Sequence, residues 1–149
     1  SYRTDRADVP EGEHVVPLGQ ARLAREGGDL TLVAYGAMIP LCLRAADELA
    51  GEASVEVLDL RTLKPLDEDA LLASAAKTGR VVLVQEAPRT CGFAAEVAAI
   101  LAEKAILDLR GPVLRVTGYD VPYPYWQIED AYMPSVARVV DAARTLLAF

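Results

Sequence analysis

From Leu30 onward, short apolar runs alternate with longer segments of helical period. Leu30-Thr-Leu-Val-Ala-Tyr35 is an almost unbroken apolar run, the pattern of a strand buried on both faces. Gly36 follows it, and Met38 to Ala50 then repeats at helical spacing and closes at Gly51. Val55 to Asp59 reads as a second strand. Leu66 to Lys77 reads as a helix, with acids in its first turn and Lys77 in its last, as the helix dipole favours. Gly79 ends it. Arg80 to Gln85 is a third strand, and Phe93 to about Leu109 a helix stopped by Gly111-Pro112. Val113 to Val116 is a fourth strand. A proline-rich loop, Val121 to Trp126, leads to a closing amphipathic helix from Ser135 to Ala148, with Pro134 as its start signal. Upstream, Ala21 to Ala24 reads as one short strand. The turn Glu26-Gly-Gly-Asp29 joins it tightly to the next strand, so antiparallel orientation is expected for it.

Strands alternating with helices of this length predict an α/β fold with crossover connections. The expected sheet has five strands, four parallel and one antiparallel, covered on both faces. Residues 1–14 are hydrophilic, with Pro10 and Gly12, and read as a linker from a missing upstream domain. Residues 15–149 read as the folded domain.

Composition narrows the function classes. The net charge is −7 at ordinary apolar and charged fractions of 52% and 25%. A binder of nucleic-acid phosphates needs a basic face, so nucleic acid is not the expected partner. Nor is an anionic membrane surface. No apolar run approaches the roughly 18 residues of a membrane span, and the polar start lacks a signal-peptide core. The expected location is cytoplasmic. Two cysteines, Cys42 and Cys91, and the single His14 compose neither a disulfide framework nor a zinc site at familiar spacing.

Ligands of open α/β sheets sit outside the carboxyl ends of the strands. Those ends carry Gly36, Asp59 to Thr62, Glu86 to Gly92 and Thr117 to Asp120. The Tyr35-to-Met38 turn could present N–H groups to an anion, although neither GxGxxG nor GxxxxGK[ST] is present. Asp59 and Arg61 point to one side if the strand continues, which reads as a structural ion pair before it reads as catalysis. Cys91 has no histidine in sequence reach, and Cys42 sits among apolar neighbours, so both read as structural. Gly36, Arg61, Glu86 and Arg89 are the candidates for a ligand pocket. Tyr119, Tyr123, Tyr125 and Trp126, with Pro122 and Pro124, make a rigid aromatic loop. It suits either a contact surface or a cover over its own core. No self-sufficient active site emerges, so the domain reads as one part of a larger machine.

Several runs together resemble one family. They are Val9-Pro-Glu, Val16-Pro-Leu-Gly-Gln-Ala21, Gly28 to Ala37, Glu56-Val-Leu-Asp-Leu-Arg-Thr-Leu-Lys-Pro-Leu-Asp67, Lys77-Thr-Gly-Arg80, Glu86 to Glu96, and Arg115-Val-Thr-Gly-Tyr-Asp-Val-Pro-Tyr-Pro124. In this order they are similar to the C-terminal, transketolase-type domain of the beta subunit of thiamine diphosphate-dependent 2-oxo acid dehydrogenases. The last run resembles the branched-chain enzymes somewhat more than the pyruvate enzymes.

The resemblance implies a three-layer α/β/α sandwich. It implies oxidative decarboxylation of a 2-oxo acid, with acyl transfer to lipoyl, by the intact enzyme. Thiamine diphosphate and its magnesium would lie between other domains, leaving no cofactor, metal or catalytic residue on this one, which would be inactive alone. The implied partners are an alpha subunit, a second beta subunit and the peripheral binding domain of the lipoyl acyltransferase. Tyr119, Tyr123, Tyr125, Trp126 and Phe149 with its carboxylate are the expected interface residues. A regulatory ligand-binding module, or the tail of a transketolase or deoxyxylulose phosphate synthase, are the alternatives. Cys91 departs from the family's usual glycine, so a slightly shifted loop is expected there. Trp126-Gln-Ile-Glu-Asp130 also departs from the family pattern.

Overall fold

The computed structural model describes Asp8 and residues 11–149, and for Trp126 the backbone only. Of the expected linker 1–14, residues 1–7, 9 and 10 therefore lie outside the described residues. The elements follow the predicted rhythm. They are β1 (Arg22–Arg25), β2 (Leu30–Ala34), α1 (Met38–Glu48), β3 (Val55–Asp59), α2 (Glu68–Thr78), β4 (Val81–Pro88), α3 (Phe93–Lys104), β5 (Leu114–Gly118), α4 (Glu129–Tyr132) and α5 (Val136–Leu147).

The five strands form one sheet in the order β1-β3-β2-β4-β5. Every pair is parallel except β1 with β3, which is antiparallel. The expected orientation of β1 holds, but its neighbour is β3 and not the strand that follows it in sequence. Gly27 makes this route possible. A Cβ there would stand 2.2 Å from the backbone of Val55 and Glu56, so only glycine lets the turn cross β3 so closely.

Side chains alternate across the sheet and feed two cores. Leu30, Leu32, Val55, Val57, Val82 and Val84 point to one face, where α1 and α5 cover them. Val33, Leu58, Val81 and Leu83 point to the other, under α2 and α3. These are the three layers that the resemblance implied.

Glu56 breaks the apolar pattern on the second face. It is 2% exposed. Its carboxylate accepts hydrogen bonds from Ser74 and Thr31 and pairs with Lys77 Nζ at 2.5 Å. Thr31, in turn, bonds Ser74 and Thr78 at 2.9 Å each. A buried charge is tolerated because this set satisfies it.

Three boundaries differ from expectation. The helix predicted to reach Leu109 stops at Lys104, and Ala105 caps it without glycine. The chain turns there so that Arg110 N–H can bond Gly79 O at 2.7 Å and bring β5 alongside β4. Leu107 is left 97% exposed. The third strand runs on to Pro88 because β5 pairs with it beyond a bulge. Finally, the loop after β5 contains a short 3-10 turn, Trp126–Ile128, and α4, which the prolines concealed.

Candidate functional site

The chain leaves β2 toward β3 and leaves β4 toward β5, so the crevice typical of ligand binding opens between the carboxyl ends of β2 and β4. Its own side chains fill it. Tyr35, just past β2, stacks edge-on against Phe93 with centroids 6.1 Å apart. Burial, reinforced by the Glu86 carboxylate, holds the Tyr35 phenol above its ordinary pKa. Gln85 is fully buried. It donates to Pro88 O at 3.0 Å and accepts from Ala94 N at 2.7 Å, folding the loop after β4 back onto the sheet. Gly92 must be glycine for this, since a Cβ would stand 2.0 Å from Gln85 Nε2. The gap left beside Tyr35 and Phe93 measures about 10 Å³, at the limit of a single water.

The Tyr35-to-Met38 segment is a close strand-to-helix turn that bonds back on itself. Met38 N and Ile39 N bond back to Tyr35 O and Gly36 O, and Pro40 has no N–H.

The four candidate pocket residues fall into two places. Gly36 and Arg61 line an open cleft of about 470 Å³ with Val16, Arg22, Pro40 and Asp59. Glu86 and Arg89 do not line it. The expected pair of Asp59 with the Arg61 side chain is also absent. Arg61 takes φ +56°, which turns its side chain off the strand line, and its backbone N–H bonds Asp59 Oδ1 at 3.1 Å. Arg22, across the antiparallel pair, takes the carboxylate at 3.4 Å. Arg89 serves the fold, donating to Arg115 O at 3.2 Å while Arg115 donates back to Arg89 O at 3.2 Å.

The aromatic loop is both cover and surface. Tyr132 of α4 is its buried centre, with Tyr119 and Tyr123 edge-on to it at 6.3 and 5.0 Å. Gly118 lets Tyr132 approach, since a Cβ would lie 2.6 Å from the Tyr132 oxygen. The Arg138 guanidinium lies 4.7 Å over the Tyr119 ring and donates to Thr117 O at 2.7 Å. The Tyr123 hydroxyl donates to the Glu129 carboxylate, which raises the phenol to about 12. Thr90 donates its N–H and hydroxyl to Asp120 at 2.9 and 2.7 Å, and these bonds hold the Asp120 carboxyl below its ordinary pKa. Outward, Tyr119, Val121, Pro124, Ile128, Ala131 and Tyr132 enclose a carbon-lined hollow of about 320 Å³. Tyr125 projects beside it, 89% exposed. The Trp126 side chain lies outside the described residues.

Phe149 does not join this surface. It packs against Gly111, ahead of β5, whereas the aromatic loop follows β5. At about 3.3 Å per residue, the strand sets the two at opposite ends of the sheet. The expected interface residues therefore form two separate surfaces. Tyr132, Ile128 and Arg138 complete the aromatic one, and no local sequence pattern marked them.

Comparison with known proteins agrees with this architecture. Residues 19–139 match the family described as Transketolase, C-terminal domain. The chain belongs to that family. This transketolase-type domain is 48% identical to the pyruvate dehydrogenase E1 component subunit beta of Staphylococcus epidermidis and 47% identical to that of Bacillus subtilis, in each case over 99% of the chain and 46% of the relative. The chain thus spans about half the length of these curated relatives. Among solved structures, a split gene transketolase described as an inactive beta4 tetramer superposes with a TM-score of 0.80 at 31% identity. It covers 95% of this chain, which matches 46% of that one. A 2-oxoglutarate:ferredoxin oxidoreductase from Magnetococcus marinus shares the fold at TM-score 0.57 and 12% identity, over 86% of this chain and 19% of its own.

The strand-end crevice is filled, and among the described residues no three His, Cys, Asp or Glu side chains gather as a metal-ion set. No described helix is long and apolar enough to cross a membrane.

Proposed function

We propose that the chain is the C-terminal domain of the beta subunit of a 2-oxo acid dehydrogenase, and that it serves subunit assembly and partner docking. The observation that carries this reading is 47–48% identity to pyruvate dehydrogenase beta subunits along 99% of the chain. The filled strand-end crevice supports a non-catalytic role for the domain itself. The decarboxylating centre, with thiamine diphosphate and magnesium, belongs to other domains in this reading. An alpha subunit and a second beta subunit are the assembly partners, and the peripheral binding domain of the lipoyl acyltransferase is the docking partner.

The relatives' names favour pyruvate as the substrate. The Arg115-to-Pro124 run, which resembles branched-chain enzymes, makes branched-chain 2-oxo acids the comparison to run beside it. The higher identity to the beta subunits than to the split transketolase ranks a transketolase function second.

The test is to isolate the native polypeptide carrying this sequence with its bound partners. A beta-type chain of about twice this length, copurifying with an alpha-type chain and decarboxylating pyruvate or a branched-chain 2-oxo acid, is the expected result. A lone chain of about 149 residues with neither activity nor partner overturns the reading. A thermal-shift screen covers the ligand-module alternative at the Gly36 and Arg61 cleft, where ligand at a hundred times its Kd adds about 2.7 kcal/mol.

A further inference from the structure

A slot of about 340 Å³ opens between β1 and α2, on the face of the sheet that α2 and α3 cover elsewhere. Its walls are aliphatic. Ala21, which ends the arm leading into β1, stands with Leu23 and Leu58 on the sheet side, and Ala70 and Ala73 stand on the helix side. Ala70, Ala73 and Lys77 share one helical face at three- and four-residue spacing, and alanine at the first two leaves the space that longer side chains would fill. Ala21 N donates to Asp67 Oδ2 at 2.8 Å, which ties the arm to the start of α2. Leu23 is left 44% exposed within the slot. One end of the slot is polar, lined by Ser74, Lys77 and the buried Glu56. Glu56 is fully engaged there. One oxygen accepts from the Ser74 and Thr31 hydroxyls, and the other takes Lys77 Nζ at 2.5 Å. Lys77 is not fully engaged. An ammonium carries three N–H donors, and among the described residues Glu56 is its one acceptor. Two donors therefore remain at the polar end of an aliphatic slot. A buried ion pair is seldom more stabilising than apolar side chains of the same volume, so stability alone does not account for this one.

We infer that this slot binds a short aliphatic chain ending in an uncharged carbonyl, an acyl amide or ester. The chain lies along Leu23, Leu58, Ala70 and Ala73, and its carbonyl oxygen accepts from Lys77 Nζ. Charge decides the head group. Glu56 and Lys77 already balance each other. A carboxylate head would set a second anion beside the buried Glu56 carboxylate with one cation to share, and an ammonium head would meet Lys77. An uncharged acceptor uses the free donors and leaves the pair intact. Volume sets the length. At about 30 Å³ for each non-hydrogen atom, the slot takes roughly ten of them. Pockets for small ligands are of this size, mostly apolar, with few polar groups that fix the orientation. The inference does not depend on the beta-subunit reading, since every group it uses lies in this chain.

The experiment uses the native-length polypeptide in the complex it forms. Hexanamide, hexanoate and hexylamine share one chain and differ in the charge of the head. Affinity is read by saturation-transfer NMR of each probe, and location by amide hydrogen exchange at saturating probe. Hexanamide is expected to bind at least tenfold more tightly than either charged probe and to slow exchange at residues 21–25 and 70–77. Ala73→Leu fills the slot from an exposed position of α2 where leucine is a good helix former, and hexanamide affinity is expected to fall at least tenfold. Ala70→Leu fills the same slot one turn earlier and is expected to do the same, which guards against a variant that misfolds. Preference for a charged probe, no slowing of exchange, slowing elsewhere, or unchanged affinity in both filled variants overturns the inference. Each of those outcomes leaves the beta-subunit reading standing, because that reading is tested by chain length and partners.

Discussion

Cys91 carries a side chain where its backbone takes φ +58°, a region that favours glycine. The sequence suggested that the loop would shift to relieve it. Instead the loop keeps the left-handed turn, because Thr90 is clamped to Asp120 on one side and Gln85 grips Gly92 and Ala94 on the other. Strain of this kind costs on the order of 1 kcal/mol, so Cys91→Gly is expected to stabilise the protein by roughly 0.5–1 kcal/mol in urea denaturation. The two thiols also divide cleanly. Burial pushes the Cys42 thiol up to about 12, whereas Cys91 is exposed, so mild alkylation is expected at Cys91 alone in mass spectrometry. Tyr123 gives a pH readout. Its phenol is raised by its hydrogen bond to Glu129, so that bond is intact below the ordinary tyrosine value and is lost as pH rises through about 12. Ultraviolet titration should therefore show Tyr123 and Tyr35 as late tyrosines, and Glu129→Gln should move Tyr123 alone back toward the ordinary value. None of these couplings was legible in sequence, since Gln85 with Ala94 and Thr90 with Asp120 meet only through the fold.

Among the elements, α2 shows how much local signal can carry. Its acids, its Lys77 and its Gly79 all pointed to a helix, and the structure begins it with Asp67 accepting from Ala70 N and ends it at Gly79 with φ +69°. Asp67 does a second task that local pattern could not show. Its other oxygen takes Ala21 N and ties α2 to the arm ahead of β1. Asp67→Ala is expected to lower stability by about 1–2 kcal/mol in chemical denaturation, at the upper end of a lost helix cap. Lys77 likewise serves both helix and core. Removing its charge as Lys77→Met leaves the buried Glu56 carboxylate to Ser74 and Thr31, at an expected cost of about 1–3 kcal/mol. A loss within error would mean that water takes the place of the ammonium. By contrast, α4 and the true end of α3 escaped the sequence reading. A four-residue helix has no period to detect, and the stop at Lys104 is set by the Arg110 bond to Gly79 rather than by any residue at the helix end.

At the scale of the whole molecule, the surfaces face different ways. The aromatic hollow lies at the carboxyl end of the sheet, Phe149 at the amino end and the arm at the β1 edge. A net charge of −7 favours basic partners and predicts docking that weakens with salt. Titration of the assembled enzyme with the acyltransferase binding domain is expected to lose affinity as salt rises, and a salt-independent affinity would count against an electrostatic dock. On the proposed beta-subunit reading, the chain by itself is expected to show no decarboxylation when supplied with thiamine diphosphate and magnesium. The alternation of strand and helix, the glycine stops and the low basic content were enough to determine an α/β sheet and to make nucleic acid an unexpected partner. They could do so because period, caps and charge are local properties of the chain. Only the tertiary structure decided that β1 pairs with β3, that Tyr35, Phe93 and Gln85 close the strand-end crevice, and that the predicted pocket and interface residues separate. Those outcomes depend on which distant side chains share a volume. A one-dimensional pattern of apolar and polar positions does not encode that.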